Sequence, residues 1–185
     1  MLKNIRVSLL LLLLCGIIYP LLMTAVSQLF FPEQADGSLV KDEEGKVIGS
    51  ELIGQLFTDP AYFSGRVSSI EYDASGSGSA NYGPSNEEMI ERTKADIEEF
   101  LERNPEVSRE EIPADLLTNS GSGLDPHISP TAAMIQVPRI AETRGVSEEK
   151  VEKLVSEQTE GRQFGIFGEP HVNVLALNRE LDRLK

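Results

Sequence analysis

Asp125, His127 and His171 have the widest chemical reach in this chain, because an imidazole steadied by a carboxylate can act as a general base. Asp125 stands two residues before His127, with Ser122 just upstream, so one reading is a hydrolase using Ser122, His127 and Asp125. That reading predicts an activity lost on alanine substitution of each residue. The G-x-S-x-G elbow that exposes a nucleophilic serine is missing: Ser120 stands two before Ser122, and Ser75 and Ser79 flank Ser77. A metal needs three or four converging ligands, and the spacing of Asp125, His127 and His171 is unspecific for one. The plainer reading of His127 is a hydrogen-bonded turn residue between Pro126 and Ile128. The Gly/Ser stretches match neither G-x-x-x-x-G-K-[ST] nor G-x-G-x-x-G. The expectation is a chain with no catalytic, cofactor-binding or metal residue of its own, whose business is binding through polar loops on a scaffold.

The elements that must position those loops begin with an anchor. Residues 7–31 carry no charge and residues 9–14 are all leucine. As a helix this stretch spans about 37 Å, enough to cross a hydrocarbon core of about 30 Å. Pro20 sits mid-span, which membrane helices tolerate when a neighbouring helix satisfies the freed carbonyl. Lys3 and Arg6 precede the span while Glu33 and Asp36 follow it, so the positive-inside bias predicts a cytoplasmic N-terminus and an extracytoplasmic body. A cleaved signal peptide, using Ala25-Val26-Ser27, is disfavoured because its apolar region normally runs only about 7–15 residues. A lipoprotein signal is disfavoured by the bulk of Leu14 before Cys15.

Beyond residue 32 lie all 30 acids against 15 Lys and Arg, a formal −15. Such a body lacks the basic footprint of a nucleic-acid binder. It suits solubility and a diffuse attraction for cations. The body has no cysteine, hence no internal disulfide. The predicted organisation is a cytoplasmic N-terminus over 1–6, a single transmembrane helix over 7–31, and one α/β or α+β extracytoplasmic domain over 32–185.

Residues 38–40 and 46–48 flank Asp42-Glu43-Glu44-Gly45 and predict a hairpin. Residues 51–57 suggest a short helix or an irregular bridge, and 74–81 (ASGSGSAN) a surface loop. Ser85 with Glu88 forms a capping-box pattern for a helix whose inner face is Met89, Ile90, Thr93, Ile97, Phe100 and Leu101. Ser108 with Glu111 repeats the pattern until Pro113 cuts it short. Residues 119–130 (NSGSGLDPHISP) predict a structured turn, after which Ser129 caps a helix with Pro130 in its first turn. That helix should carry Ala133, Met134, Val137 and Ile140 inward and be kinked or split by Pro138. Ser147 should cap a further helix with Val151, Leu154 and Val155 inside, stopped by Gly161. Residues 172–177 predict a buried strand, and Asn178 a cap for a last turn bearing Leu181 and Leu184.

Several stretches resemble one known family. Gly49-Ser50-Glu51-Leu52-Ile53-Gly54-Gln55 is similar to a G-S-x-L-I-G-Q segment, and Tyr62-Phe63-Ser64-Gly65-Arg66 to Y-F-x-x-R. Asn81, Gly83, Pro84, Ser85 and Asn86 resemble N-x-G-P-[TS]-N; residues 120–130 form the most specific stretch. Residues 169–175 resemble E-P-R-V-N-V-L. The family is the C subunit of the bacterial high-affinity potassium-transporting P-type ATPase, the Kdp complex, and the resemblance covers nearly the whole chain. Two positions depart from it: Val67 stands where proline is usual, and His171 where arginine is usual.

The resemblance implies a non-catalytic, single-pass subunit of the bacterial inner membrane. Its partners would be a K⁺-conducting, channel-like A subunit and an ATP-hydrolysing B subunit, with no nucleic acid and no cofactor in this chain. Its implied role is stabilising assembly and assisting K⁺ access at the outer mouth. The candidate partner contacts are Asn81, Pro84 and Asn86 on one loop, with Ser120, Ser122, Asp125, His127 and Ser129 on the other. The alternative from another class is an independent single-pass binding or adhesion module, which would stay monomeric in detergent.

Overall fold

The apolar head forms one long helix in the computed structural model, which describes residues 2–184. This helix, α1 (Leu2–Phe30), has no buried residue, and its 29 residues are long and apolar enough to cross a membrane. Its hydrogen-bond register slips over Leu14–Ile18, a π turn, where the Tyr19 N–H reaches the Leu14 carbonyl. The cause lies one residue on: Pro20 has no N–H to give. The two positions that could serve the Cys15 carbonyl thus hold an N–H already given to Leu14 and no N–H at all. Thr24 Oγ1 donates to the Pro20 carbonyl at 2.9 Å.

The chain forms two compact units, the first running through Ser50 and the second from Glu51. After α1, the first unit holds the expected antiparallel hairpin of β1 (Leu39–Lys41) and β2 (Val47–Ser50). Its turn is fixed by the Asp42 carboxylate, which accepts from the N–H groups of Glu44 and Lys46.

The main elements of the second unit are α2 (Glu87–Arg103), β3 (His127–Ile128), α3 (Pro130–Met134), α4 (Val137–Arg144), α5 (Glu148–Glu157), β4 (Thr159–Glu160), β5 (His171–Asn173) and α6 (Val174–Arg183), with short helical turns at Arg109–Glu111 and Ala114–Leu117. Its strands form a small sheet in the order β3-β5-β4, both pairings antiparallel. Of the two classes left open by the sequence, this is the α+β one. The core gathers Phe63, Ile128, Val137, Ile140, Val151, Val155, Val172, Leu177 and Leu181, each all but inaccessible. Residues 51–57 are an irregular bridge.

Several local expectations need correction. Asn86, not Ser85, caps α2: its side chain accepts from Met89 N–H at 2.9 Å from an extended backbone, leaving Ser85 exposed in the preceding turn. On the inner face of α2 only Ile97 is fully buried, and Ile90 is exposed. Met134 also faces outward. Residues 172–177 are not one strand. Asn173 caps α6 by accepting from Ala176 N–H at 3.1 Å, so a side-chain cap overrides the β preference of the valines. Asn178 therefore lies inside a helix and caps nothing. Gly161 does not end α5, which closes at Glu157 before β4 begins. Ser147 precedes α5 without a side-chain cap bond.

The other signals appear where expected. Glu111 reaches back to Ser108 N–H at 2.8 Å, Ser129 caps α3, and Pro138 marks the break between α3 and α4.

Candidate functional site

Asp125 is the hub on which the polar segments converge. Its Oδ2 accepts from Arg66 Nη1 at 2.8 Å, and its Oδ1 accepts from the His127 N–H at 3.0 Å and from His127 Nδ1 at 3.2 Å. The His127 bonds, partly opposed by burial and aided by Arg66, hold the carboxyl at about 2. Asp125 is therefore an anion at any physiological pH. Because a carboxylate only accepts, His127 is fixed with its proton on Nδ1. The His127 ring meets that of His171 edge to face at 4.6 Å, and His171 gives its own Nδ1 proton to the Glu169 carbonyl at 2.9 Å.

The neighbouring backbones close on the hub from three directions. Gly54 N–H donates to the Leu124 carbonyl at 2.8 Å, Val174 N–H to that of Pro126 at 3.0 Å, and Asn173 Nδ2 to that of Glu51 at 2.8 Å. Tyr72, itself in the left-handed region, donates its hydroxyl to the Arg66 carbonyl at 2.5 Å. Burial and the Asp125 charge push that phenol up to about 12. The packing around its ring explains two glycines. A Cβ on Gly54 would lie 2.6 Å from Tyr72 Cε1 and 2.7 Å from the Asp125 carbonyl oxygen, and one on Gly65 would lie 2.9 Å from the Tyr72 hydroxyl.

The two polar loops meet. Gly78 N–H donates to the Ser122 carbonyl at 2.8 Å, and Ser68 Oγ to that of Gly123 at 2.7 Å. Gly123 has φ of 71°, and a Cβ there would strike Ile70 and the Gly78 carbonyl. Within residues 119–130 most polar side chains are spent on the loop itself. Ser120 Oγ accepts from Gly123 N–H, Ser122 Oγ accepts from Leu124 N–H, and Ser129 donates both its N–H and its hydroxyl to Asp115. Ser122 Oγ lies 3.3 Å from Ser120 Oγ and accepts from Leu124 N–H, so among the described residues the Asp-His pair forms without a serine attached. On the other loop Asn86 is spent as a cap, whereas Asn81 (φ 50°) and Pro84 stand exposed. Among the described residues no three of His, Cys, Asp and Glu are grouped to hold a metal ion.

A second polar network escaped the sequence reading. Residues 60–64 have no regular structure, so their backbone groups need other partners. Asn178 supplies both halves of a peptide-like pair to Phe63, accepting its N–H at 2.9 Å and donating to its carbonyl at 3.0 Å. Gln136 does the same for Ser64, at 2.9 and 3.2 Å. Arg139 is buried and donates to Asn104, Gln136 and the carbonyls of Pro60 and Tyr62. Burial pulls it down to about 10, so it remains a cation at neutral pH. Arg144 crosses the Tyr62 ring at 4.7 Å and pairs with Asp182 at 2.8 Å. The available signal was a glutamine and an arginine on the helix face that also carries Ala133, Val137 and Ile140.

Beside the hub lies a cleft of about 290 Å³, lined in part by Leu56, Phe57, Arg66, Tyr72, Asp96 and Phe100. Burial raises the Asp96 carboxyl, although Arg92 stands 3.4 Å away.

Comparison with known proteins places these motifs in context. The profile of the family described as "KdpC: K+-transporting ATPase, c chain" matches residues 1–183. A potassium-transporting ATPase KdpC subunit of Caldanaerobacter subterraneus subsp. tengcongensis is 54% identical over 179 residues, covering 97% of this chain and 92% of that one. The protein of the same name from Bacillus cereus strain Q1 is 53% identical over 180 residues, 97% and 93% of the two chains. That from Bacillus anthracis is 52% identical over the same shares.

Proposed function

We propose that this chain, which belongs to the KdpC family, the c chain of K⁺-transporting ATPases, is a non-catalytic accessory subunit. It stabilises the association of a K⁺-conducting chain and an ATP-hydrolysing chain in the bacterial inner membrane. In this reading α1 crosses the membrane once with its N-terminus in the cytoplasm, and the acidic second unit faces outward. The observation that carries the reading is the investment of the motif residues. Arg66, Tyr72, Ser122, Asp125 and Ser129 hold one another and the surrounding backbone. A scaffold that presents a rigid surface needs such internal locking, and it leaves Asn81 and Pro84 outward as contact points.

The negative charge of the body has a place in this role. At about 0.15 M salt the Debye length is about 8 Å, so acids within that range of the pathway mouth raise the local K⁺ concentration. Neutralising such acids should weaken apparent K⁺ affinity at low salt and leave it unchanged at high salt.

The test is to purify the tagged chain in mild detergent after co-expression with the other ATPase subunits. K⁺-stimulated hydrolysis is then measured with and without it. Co-purification with hydrolysis lost on omission supports the accessory role. A chain that elutes alone, beside a fully active remainder, overturns it in favour of an independent binding module.

A further inference from the structure

The hairpin between β4 and β5 spends its most apolar residues on solvent. Every residue from 161 to 170 is exposed, including Phe164 at 92%, Ile166 at 71% and Phe167 at 64%. The tip is nevertheless ordered: Gln163 and Phe167 exchange both backbone hydrogen bonds, at 2.9 and 3.0 Å. Ile166 N–H closes the turn on the Gln163 carbonyl at 3.1 Å. Its neck is tied by Arg162, whose Nη2 lies 2.8 and 2.6 Å from the two Glu169 carboxylate oxygens.

Phe164 and Gly165 are the central turn residues, with φ of 53° and 73°. Turns with two successive positive φ values favour Asn, Asp or Gly at the first position. A phenylalanine there is held in a poor conformation, and its ring gains no burial from this chain. Neither local preference nor packing within the domain accounts for it, which is the pattern of a contact residue.

We propose that this tip seats in an apolar cleft on another protein chain of the same ATPase. The inference rests on the reading of this chain as a subunit of that assembly. Three observations select the occupant. The three side chains offer on the order of 400 Å² of apolar surface, the size of a functional patch. That is only about half the 800 Å² or so that each partner of a free-standing interface buries, so the tip alone does not hold two copies of this chain together. It does suffice for a partner kept close by a shared membrane, where tethering supplies a high effective concentration. The charge argues likewise. Two copies would bring together bodies of formal −15 each, and an anionic lipid surface would meet that same charge. The tip from 163 to 168 is uncharged, and Arg162 is already committed to Glu169.

The experiment places a photoreactive benzoyl-phenylalanine at position 164 of the full chain, co-expressed with the other subunits. Illumination should yield one adduct whose mass is that of this 20.3 kDa chain plus a different subunit. In parallel, the double variant Phe164→Ser/Phe167→Ser should lower recovery of this chain with the complex about tenfold or more, with its melting in detergent unchanged. An adduct of twice the chain mass, an adduct with lipid only, or no adduct overturns the proposal. So does undiminished recovery of the double variant. If the unmodified chain still co-purifies in those cases, the subunit reading stands and only the docking tip falls. If the unmodified chain does not co-purify, both fall.

Discussion

Residues 60–66 and residues 161–170 both lack extended regular structure, yet their side chains face opposite ways. In the first, the backbone is gripped from the helices by Asn178, Gln136, Arg139 and Arg144, and Phe63 is wholly buried. In the second, the backbone satisfies itself through a tight turn while Phe164, Ile166 and Phe167 stand in water. Irregular backbone is thus not a mark of looseness. What separates the two is whether apolar area and polar partners are used within the chain or left for something else.

Substitutions should divide along that line. Arg139→Ala removes donors from Asn104, Gln136 and two carbonyls in a buried setting. It should cost about 3–4 kcal/mol, read as a thermal midpoint lowered by about 10 °C for a chain of this size. Gly54→Ala drives a methyl into Tyr72 and the Asp125 carbonyl, for about 1–3 kcal/mol by the same measurement.

Asp125→Asn should cost about 1–2 kcal/mol near neutral pH, allowing for solvent screening. Its pH dependence is the sharper test. The Asp125 carboxyl is depressed from 3.8 to about 2 on folding. Its contribution is fully present above about pH 4 and is lost as pH falls through about 2. Acid titration of stability should therefore steepen between pH 4 and 2 in the native chain and flatten there in the asparagine variant.

Phe164→Gly should do the reverse of all these. Relief of the positive φ should leave the chain unchanged or more stable by up to about 1 kcal/mol, while weakening assembly. If that variant destabilised the chain as strongly as Gly54→Ala does, the contrast between the two regions would collapse.

The parts legible in the sequence were those governed by short range. The anchor, the β1–β2 hairpin, the Ser129 cap and the break at Pro138 each follow from a few adjacent residues. The misplacements arose where two local signals competed. The valines of 172–174 favour a strand, but the Asn173 side chain can cap a helix, and only the packing of Leu177 and Leu181 decides between them. At the site, Asp125 and His127 could be paired from their spacing. Their link to Arg66, fifty-nine residues away, could not. The bonds of Gln136 to Ser64 and of Asn178 to Phe63 span 72 and 115 residues and leave no local pattern. Gly54 and Gly65 stand in the motif segments with no local sign of their role, which is to admit one tyrosine ring.

The π turn at Leu14–Ile18 changes how α1 displays its surface. One extra residue in a turn rotates everything downstream by about 100° relative to an unbroken α-helix. Side chains that would line up along one stripe through Leu9 and Leu13 are therefore out of phase with those after Pro20. The apolar helix thus presents two faces in sequence, one before the π turn and one after it.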